Sequence, residues 1–405
     1  MCIPGCSSPP PPPSGGSGST PPGCSTNPCP VIHAAIKVKE LTFSGNHRVE
    51  RDTLGLFATP EWVEGRAQQS PVCYTRNTQI QISTAKFTVT RKPSATETVA
   101  VRGKATFGSA SIELTGTVSV SPSDTVVTVS SLTANVALPN QVDLFETTDI
   151  AWEMNPASTG WAGAGTTRNV VYVTLGNPSG TPAYWTLLDI SCRAARGETT
   201  PGGVIRKSFV PLTTRSVKRK RDSRTLTYWN PDTTTVTNTR DLLASADGSG
   251  QCGSWAEFLI DMYKAHGITT AKKIVIVRNI PDFSNSRIGF LVKSWTFHTP
   301  PATTHNTFTH SQSQVTENPG VPGQSNANPP PAFFNHFIVL ADGKLYDPSY
   351  GAGPINNKVA WESGSIDGLF RRTPPPMMHG FDKRKPAIAS ANILEYYDLS
   401  TMTPI

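Results

Sequence analysis

The segment Asn335-His336-Phe337-Ile338-Val339-Leu340-Ala341-Asp342-Gly343-Lys344-Leu345-Tyr346-Asp347-Pro348 narrows the folding choices of this 405-residue chain more than any other. Asp342-Gly343 stands between two apolar runs, a strong signal for a two-residue β-hairpin turn. With those residues as the turn, Ala341 pairs with Lys344, Leu340 with Leu345, Val339 with Tyr346, and Ile338 with Asp347. Side chains alternate faces along a strand, so His336 and Ile338 share a face and Asp347 lies opposite Ile338 on it. His336 and Asp347 become diagonal cross-strand neighbours, close enough for a carboxylate to meet an imidazole.

A second local constraint lies upstream. Gly250-Gln251-Cys252-Gly253-Ser254-Trp255-Ala256 opens a run in which Trp255, Phe258, Leu259, Met262 and Tyr263 recur at the spacing of one helix face. His266-Gly267 supplies the stop. Cys252 falls at or near the first turn, where the helix dipole and unpaired N–H groups favour a thiolate, the nucleophilic form of cysteine. Singly, the three residues have ordinary readings: an inert buried thiol, a satisfied sheet histidine and a strand exit. Jointly, Cys252, His336 and Asp347 supply the nucleophile, the general base and acid, and the orienting group of an acyl-transfer triad.

The order Cys…His…Asp, with a helix-borne Cys and a hairpin-borne His and Asp, resembles the transglutaminase-like superfamily, in a bacterial-type member. That family includes transglutaminases, peptide N-glycanases and bacterial thiol hydrolases. The residues carrying the resemblance are Gly250-Gln251-Cys252, Trp255-Ala256, Ala265-His266-Gly267-Ile268, Asn335-His336-Phe337 and Leu345-Tyr346-Asp347-Pro348, within about residues 225–351. Gln251-Cys252 looks like the animal transglutaminase motif, and Cys252-Gly253-Ser254-Trp255-Ala256 is closer to that of the glycanases. The resemblance implies a papain-like thiol fold and a Cys252, His336, Asp347 triad. For the oxyanion it implies the backbone N–H of Cys252 and an upstream side chain, for which Gln251 and Trp229 are the candidates, core packing being the competing reading of Trp229. Such chemistry needs no metal or cofactor, and nothing here looks like the acidic calcium site of the animal enzymes.

The flanking sequence sets this unit in a larger molecule, since 405 residues exceed one typical domain. Residues 1–30 are rich in Pro, Gly and Ser, with proline unbroken from 9 to 13, and read as a tether. From 31 to 195, alternating runs at 80–89, 98–107, 111–120 and 125–136 predict an antiparallel β-sandwich of immunoglobulin-like type, although the Cys…Trp…Cys signature of that class is not evident. Further strands are expected over 170–175 and 184–191. The catalytic unit takes 196–405, with a short helix at 241–246 and strands at 274–277 and 290–296 that join the sheet of the hairpin. The predicted fold class is therefore multidomain: an N-terminal antiparallel β-sandwich followed by an α+β transglutaminase-like domain. Residues 299–332 read as a long polar loop ending just before His336, equally a lid or a plain insertion. His298, His305 and His310 in or beside it read as solvated, because no Cys or carboxylate completes a metal site.

Of seven cysteines, Cys2, Cys6, Cys24 and Cys29 lie in the tether, where disulfides suit an oxidising compartment and zinc spacing is lacking. Cys73 and Cys192 are a candidate pair. Net charge is +7 and pI near 9.0, yet only Lys218-Arg219-Lys220-Arg221 stands out. Without interleaved aromatics it reads as a solvated linker, and no nucleic-acid partner is expected. No apolar run reaches transmembrane length and no signal peptide opens the chain. The low charged fraction of 16%, with 36 prolines and 32 glycines, suits a strand-rich exported or cell-surface protein, with envelope association through residues 1–30.

The expected function is thiol-dependent acyl transfer on protein or peptide amides through a thioester. Hydrolysis, deamidation and cross-linking stay open, because they differ in whether the site admits water or an amine. One alternative is a cysteine peptidase or amidase acting on cell-wall or surface peptides. Another is a catalytically inactive surface-binding or adhesion protein, which aromatics packed over the pocket, or a His336 turned away from Cys252, would favour.

Overall fold

The computed structural model describes residues 31–180, 183–230, 236–278, 288–292, 295–297, 302–305, 308–317, 321–330, 332–372, 378–382 and 394–405. Within them antiparallel sheets predominate. The tether, with Cys2, Cys6, Cys24 and Cys29, lies outside the described residues, as does His298.

Two sheets enclose the first core. One comprises Ala35–Ser44, Gln81–Arg91 and Val126–Thr133, edged by Trp62–Val63. The other comprises Ala110–Val120, Glu97–Phe107, Asp143–Pro156 and Ala162–Thr174, edged by Val72–Thr75, which runs parallel to its neighbour. The period-two pattern explains the layering: Val99, Val101, Ala105 and Phe107 are buried while Thr98, Lys104 and Thr106 are exposed. Phe87 of one sheet meets Trp152 of the other edge-on, with centroids 5.6 Å apart. Gly103 makes room for this contact, because a Cβ there would lie 2.9 Å from Ile150 and 3.0 Å from the Trp152 ring.

The chain then departs from expectation. Of the strand expected over 184–191 only Tyr184 is in one, ending Ala183–Tyr184, and the rest belongs to a helix, α1 (Trp185–Ala194). Leu187, Leu188, Ser191, Cys192 and Ala195 recur every three or four residues and are buried, a helical stripe that a short apolar window imitates as a strand. The cap of α1 comes from far away in sequence. Asp52, fully buried, accepts from the Thr186 N–H and Oγ1, both at 2.9 Å. Helix α2 (Pro201–Thr213) starts with Thr200 capping Gly203 N–H at 3.2 Å.

The basic cluster 218–221 is not a solvated linker. Arg219 is 2% exposed, donating to the carbonyls of Leu243 and Ser245 at 2.6 and 2.9 Å and pairing with Asp222 at 2.6 Å. It satisfies orphan carbonyls at the end of α3 (Thr239–Ala244), a task suited to a guanidinium fork. Lys220 pairs with Asp189 of α1 at 2.8 Å, and Arg221 donates to Thr53 at 3.0 Å.

A six-stranded sheet carries the hairpin, in the order Ala352–Ile355, Lys344–Asp347, Asn335–Ala341, Lys272–Arg278, Leu394–Asp398, Thr403–Pro404. The expected strand over 290–296 is two strands, Ile288–Val292 and Trp295–Phe297, and they belong to a separate sheet. Ile288–Val292 pairs with Ala332–Phe333 and Ile366–Arg372 instead. The expected loop 299–332 is not uniformly loop either. Ala302–His305 and Phe308–Glu317 pair as antiparallel strands, so the backbone of His305 and His310 is in a sheet. Alternating Thr and Ser carry strand propensity without an apolar face to announce it.

The second core spans helices, hairpin and part of the sandwich: Val49, Cys73, Val142, Leu144 and Tyr172 pack in one cluster with Leu187, Phe258, Ile338 and Tyr346. Cys73 and Cys192 both contribute to it as free buried thiols rather than as a disulfide, and burial pushes the Cys73 thiol up to about 12.

Candidate functional site

Helix α4 (Cys252–Lys264) begins at Cys252 itself, with Gln251 as N-cap in extended conformation (ψ 175°). The Gln251 carbonyl receives the N–H groups of Ser254 and Trp255 at 3.0 and 3.3 Å and the Ser254 hydroxyl at 2.7 Å, which closes the first turn. Trp255, Ala256, Phe258, Leu259, Met262 and Tyr263 are all buried, which fixes the rotation of α4 and turns Cys252 inward at 4% exposure. The helix stops where Gly267, at φ 73°, donates to Lys264 O at 2.9 Å and Ile268 N–H donates to Tyr263 O at 3.1 Å, the Schellman pattern.

The hairpin has the register that its turn dictates: Ala341 pairs with Lys344, Leu340 with Leu345, and Val339 with Tyr346. Asp342 and Gly343 take φ of 48° and 68°, the left-handed pair of a type I′ turn. Beyond it His336 and Asp347 meet, Nε2–H donating to Oδ2 at 2.8 Å, with exposures of 1% and 2%. Asn335–Ala341 packs on α4, and this packing brings Cys252 beside the imidazole.

Burial alone would depress the His336 pKa. The Asp347 carboxylate and its hydrogen bond, with the neighbouring Cys252 sulfur, outweigh that and lift it to about 10. At neutral pH the ring is an imidazolium with a proton on each nitrogen. Nε2–H is held by Asp347. Nδ1 closes no hydrogen bond of acceptable geometry, although the sulfur is near enough to perturb the ring. A small movement of either group would complete the contact.

An aromatic wall surrounds the three residues. Trp361 of α5 (Lys358–Ser365) lies near-parallel to the His336 ring at 6.2 Å and 22°. Phe333 and Tyr350 are 5.3 and 5.9 Å from the same ring. Tyr228 is 5.2 Å from Tyr350. Trp229, one of the two upstream oxyanion candidates, is half-buried with its ring edge-on to Phe333 at 6.4 Å. Its backbone sits at φ 63°, a left-handed conformation that a bulky residue rarely adopts. Two bonds hold it there: Trp229 N–H to Gly250 O at 2.9 Å, and Asn326 Nδ2 to Trp229 O at 3.0 Å. The other candidate, Gln251, serves as the N-cap, its N–H donating to Val236 O at 3.0 Å.

Residues 321–330 form a strap that clamps this wall. Gln324, fully buried, donates through Nε2 to Leu212 O and Pro348 O at 2.7 and 2.8 Å, and its backbone carbonyl receives Tyr228 N–H at 2.7 Å. Asn326 also donates to Tyr228 O at 2.9 Å. Gly323 lets the strap approach, since a Cβ there would lie 2.6 Å from the Tyr228 ring. Sequence reasoning missed Tyr228, Gln324, Asn326, Tyr350 and Trp361. The adjacent aromatics Tyr228-Trp229 and the glycine in a polar run were the visible signals, but neither says which ring it serves.

Among the described residues no cluster of three or more His, Cys, Asp or Glu is placed to hold a metal ion, and no helix is long and apolar enough to cross a membrane. Chemically, a buried sulfur at a helix N-terminus, beside an imidazole oriented by a carboxylate, is equipped to attack an acyl carbon and to move one proton. In comparisons with known proteins, no family model matches this chain, and no curated protein does.

Proposed function

We propose that the chain is a thiol acyl-transfer enzyme acting on amides of proteins or peptides, with Cys252 as nucleophile, His336 as general base and acid, and Asp347 as the group that orients His336. The observation that carries the reading is the buried His336–Asp347 bond of 2.8 Å, with a helix-borne Cys252 beside the same imidazole. The proton that Cys252 has given up is held at Nδ1 as part of the imidazolium, and the sulfur attacks the carbonyl carbon as a thiolate. The C–N bond breaks as Nδ1–H protonates the leaving amine. Water or an amine then attacks the thioester, returning a proton through His336. The transglutaminase-like and immunoglobulin-like assignments belong to this proposal: an antiparallel sandwich ahead of a Cys-helix and His/Asp hairpin suits both.

The test is the pH dependence of iodoacetamide alkylation at Cys252. Fast alkylation well below the ordinary thiol pKa of about 8.5, abolished in His336→Ala, is the expected result. Slow alkylation with an ordinary profile in both proteins would sink the proposal.

One observation favours a second reading. Cys252, His336 and Asp347 are all at least nine-tenths buried behind packed aromatics, the arrangement expected of an inactive binding or adhesion protein. That reading predicts a thiol unreactive at every pH in the native protein and reactive only on unfolding, so the same titration separates the two.

A further inference from the structure

Tyr228 presents a polar group that the triad does not use. It is fully buried, and its hydroxyl lies beside that of Tyr350 without closing a hydrogen bond of good geometry. A buried hydroxyl without a well-aligned partner is costly, so its retention calls for an explanation. The backbone aims it. Thr227–Tyr228 pairs in parallel with Ser249–Gly250, which sets Tyr228 opposite Gly250, two residues before the nucleophile. Tyr228 N–H is fixed by Gln324 and its carbonyl by Asn326. Its ring packs on Tyr350, which packs on His336.

We propose that the Tyr228 hydroxyl is the side-chain donor of the oxyanion site, working beside the Cys252 backbone N–H. The inference rests on the acyl-transfer reading and extends it to a residue outside the triad and the upstream candidates Gln251 and Trp229. In the attack step the Cys252 S–C bond forms and the carbonyl π pair moves onto oxygen. Tyr228 Oη–H donates to that oxygen without giving up its proton. Collapse returns the pair to carbon and expels the leaving group. Burial, with the nearby Tyr350, Cys252 and Asp347, holds the Tyr228 hydroxyl well above its ordinary pKa, so it stays a donor across the working range. The Tyr350 hydroxyl likewise closes no hydrogen bond of good geometry, but its ring packs directly on the His336 imidazole at 5.9 Å, so its place is beside the base.

Two small reagents separate an oxyanion donor from a structural residue. Acylation of Cys252 by p-nitrophenyl acetate passes through a tetrahedral oxyanion and releases p-nitrophenolate. Alkylation by iodoacetamide forms an S–C bond with loss of iodide and makes no oxyanion. In Tyr228→Phe the acylation burst is expected to slow by about 10²-fold or more, the usual effect of removing one oxyanion donor, while alkylation keeps its rate and pH profile. In Tyr350→Phe both rates are expected to hold. Unchanged acylation in Tyr228→Phe, acylation and alkylation falling together, or an equal loss of acylation in Tyr350→Phe would each overturn the assignment. A wild-type protein with neither shifted alkylation nor an acylation burst defeats the acyl-transfer reading itself, a result distinct from failure of Tyr228 alone. Because the hydroxyl closes no well-aligned hydrogen bond, Tyr228→Phe is expected to melt close to wild type.

Discussion

Two buried histidines behave in opposite ways because of what each one faces. His336 faces a carboxylate and is lifted to about 10; His266 faces neutral groups, and burial lowers it to about 3. His266 Nδ1 accepts from Leu175 N–H at 3.3 Å and Nε2–H donates to Ser191 Oγ at 2.9 Å, so the ring joins the end of α4 to α1 as a neutral imidazole. For His266 the folded pKa lies below the unfolded value, so the folded state resists protonation. Its stabilising contribution is full above about pH 6.5 and falls away toward pH 3, by up to ~1.4 kcal/mol per pH unit. Thermal melts between pH 7 and 4 should show that loss in wild type and a shallower one in His266→Gln. For His336 the folded pKa lies above the unfolded value, so its contribution is full below about pH 6.5 and is lost as pH rises through about 10. In Asp347→Asn the imidazole should titrate far lower by NMR, and the alkaline part of the stability profile should flatten. An unchanged titration would mean that Asp347 does not set the ring's charge.

At the scale of elements, two devices hold α4 and α1, and each has a single weak point. Gly267 ends α4 at φ 73°, and a Cβ there would meet Asn177 O at 2.9 Å. Gly267→Ala should therefore destabilise by at least ~1–2 kcal/mol, the left-handed penalty before any clash, as read from denaturant midpoints. Asp52 caps α1 from 134 residues away. Asp52→Ala leaves Thr186 N–H unpaired in the core and should cost about 2 kcal/mol, while Asp52→Asn should lose less.

Local signals at this scale were legible wherever a short window contains the whole cause. Asp342-Gly343 determines its own turn, and the turn determines the pairing of 339–341 with 344–346. The α4 stripe and its Gly267 stop are equally self-contained. The strand expected over 184–191 failed because Leu187 and Leu188 look alike in a strand or a helix, and the cap that decides for the helix is Asp52. The basic run 218–221 was misread because its acceptors are carbonyls at the end of α3, which a sequence does not display.

At the scale of the whole molecule, the sandwich and the α/β unit are not independent bodies. Val49, Val142, Leu144 and Tyr172 lie in the same cluster as Leu187, Phe258 and Tyr346, and Arg221 reaches Thr53. Calorimetry of residues 31–405 should give one cooperative transition, and a chain beginning at residue 176 should lack native circular dichroism because it exposes that shared face. Two resolved transitions would contradict this.

The sequence by itself determined what depends on neighbours along the chain: the hairpin and its register, the helix that starts at Cys252, the two-layer alternation of the first 140 or so folded residues, and the three chemical groups that can form a triad. The tertiary structure alone decided what depends on partners distant in sequence. It set the imidazole between a carboxylate and a thiol, drew residues 321–330 across Tyr228 and Trp229 as a strap, and gave α1 its cap and Arg219 its carbonyls. The physical reason is that turn chemistry and periodicity act over a few residues. Desolvation and hydrogen-bond satisfaction are settled only when the whole core closes.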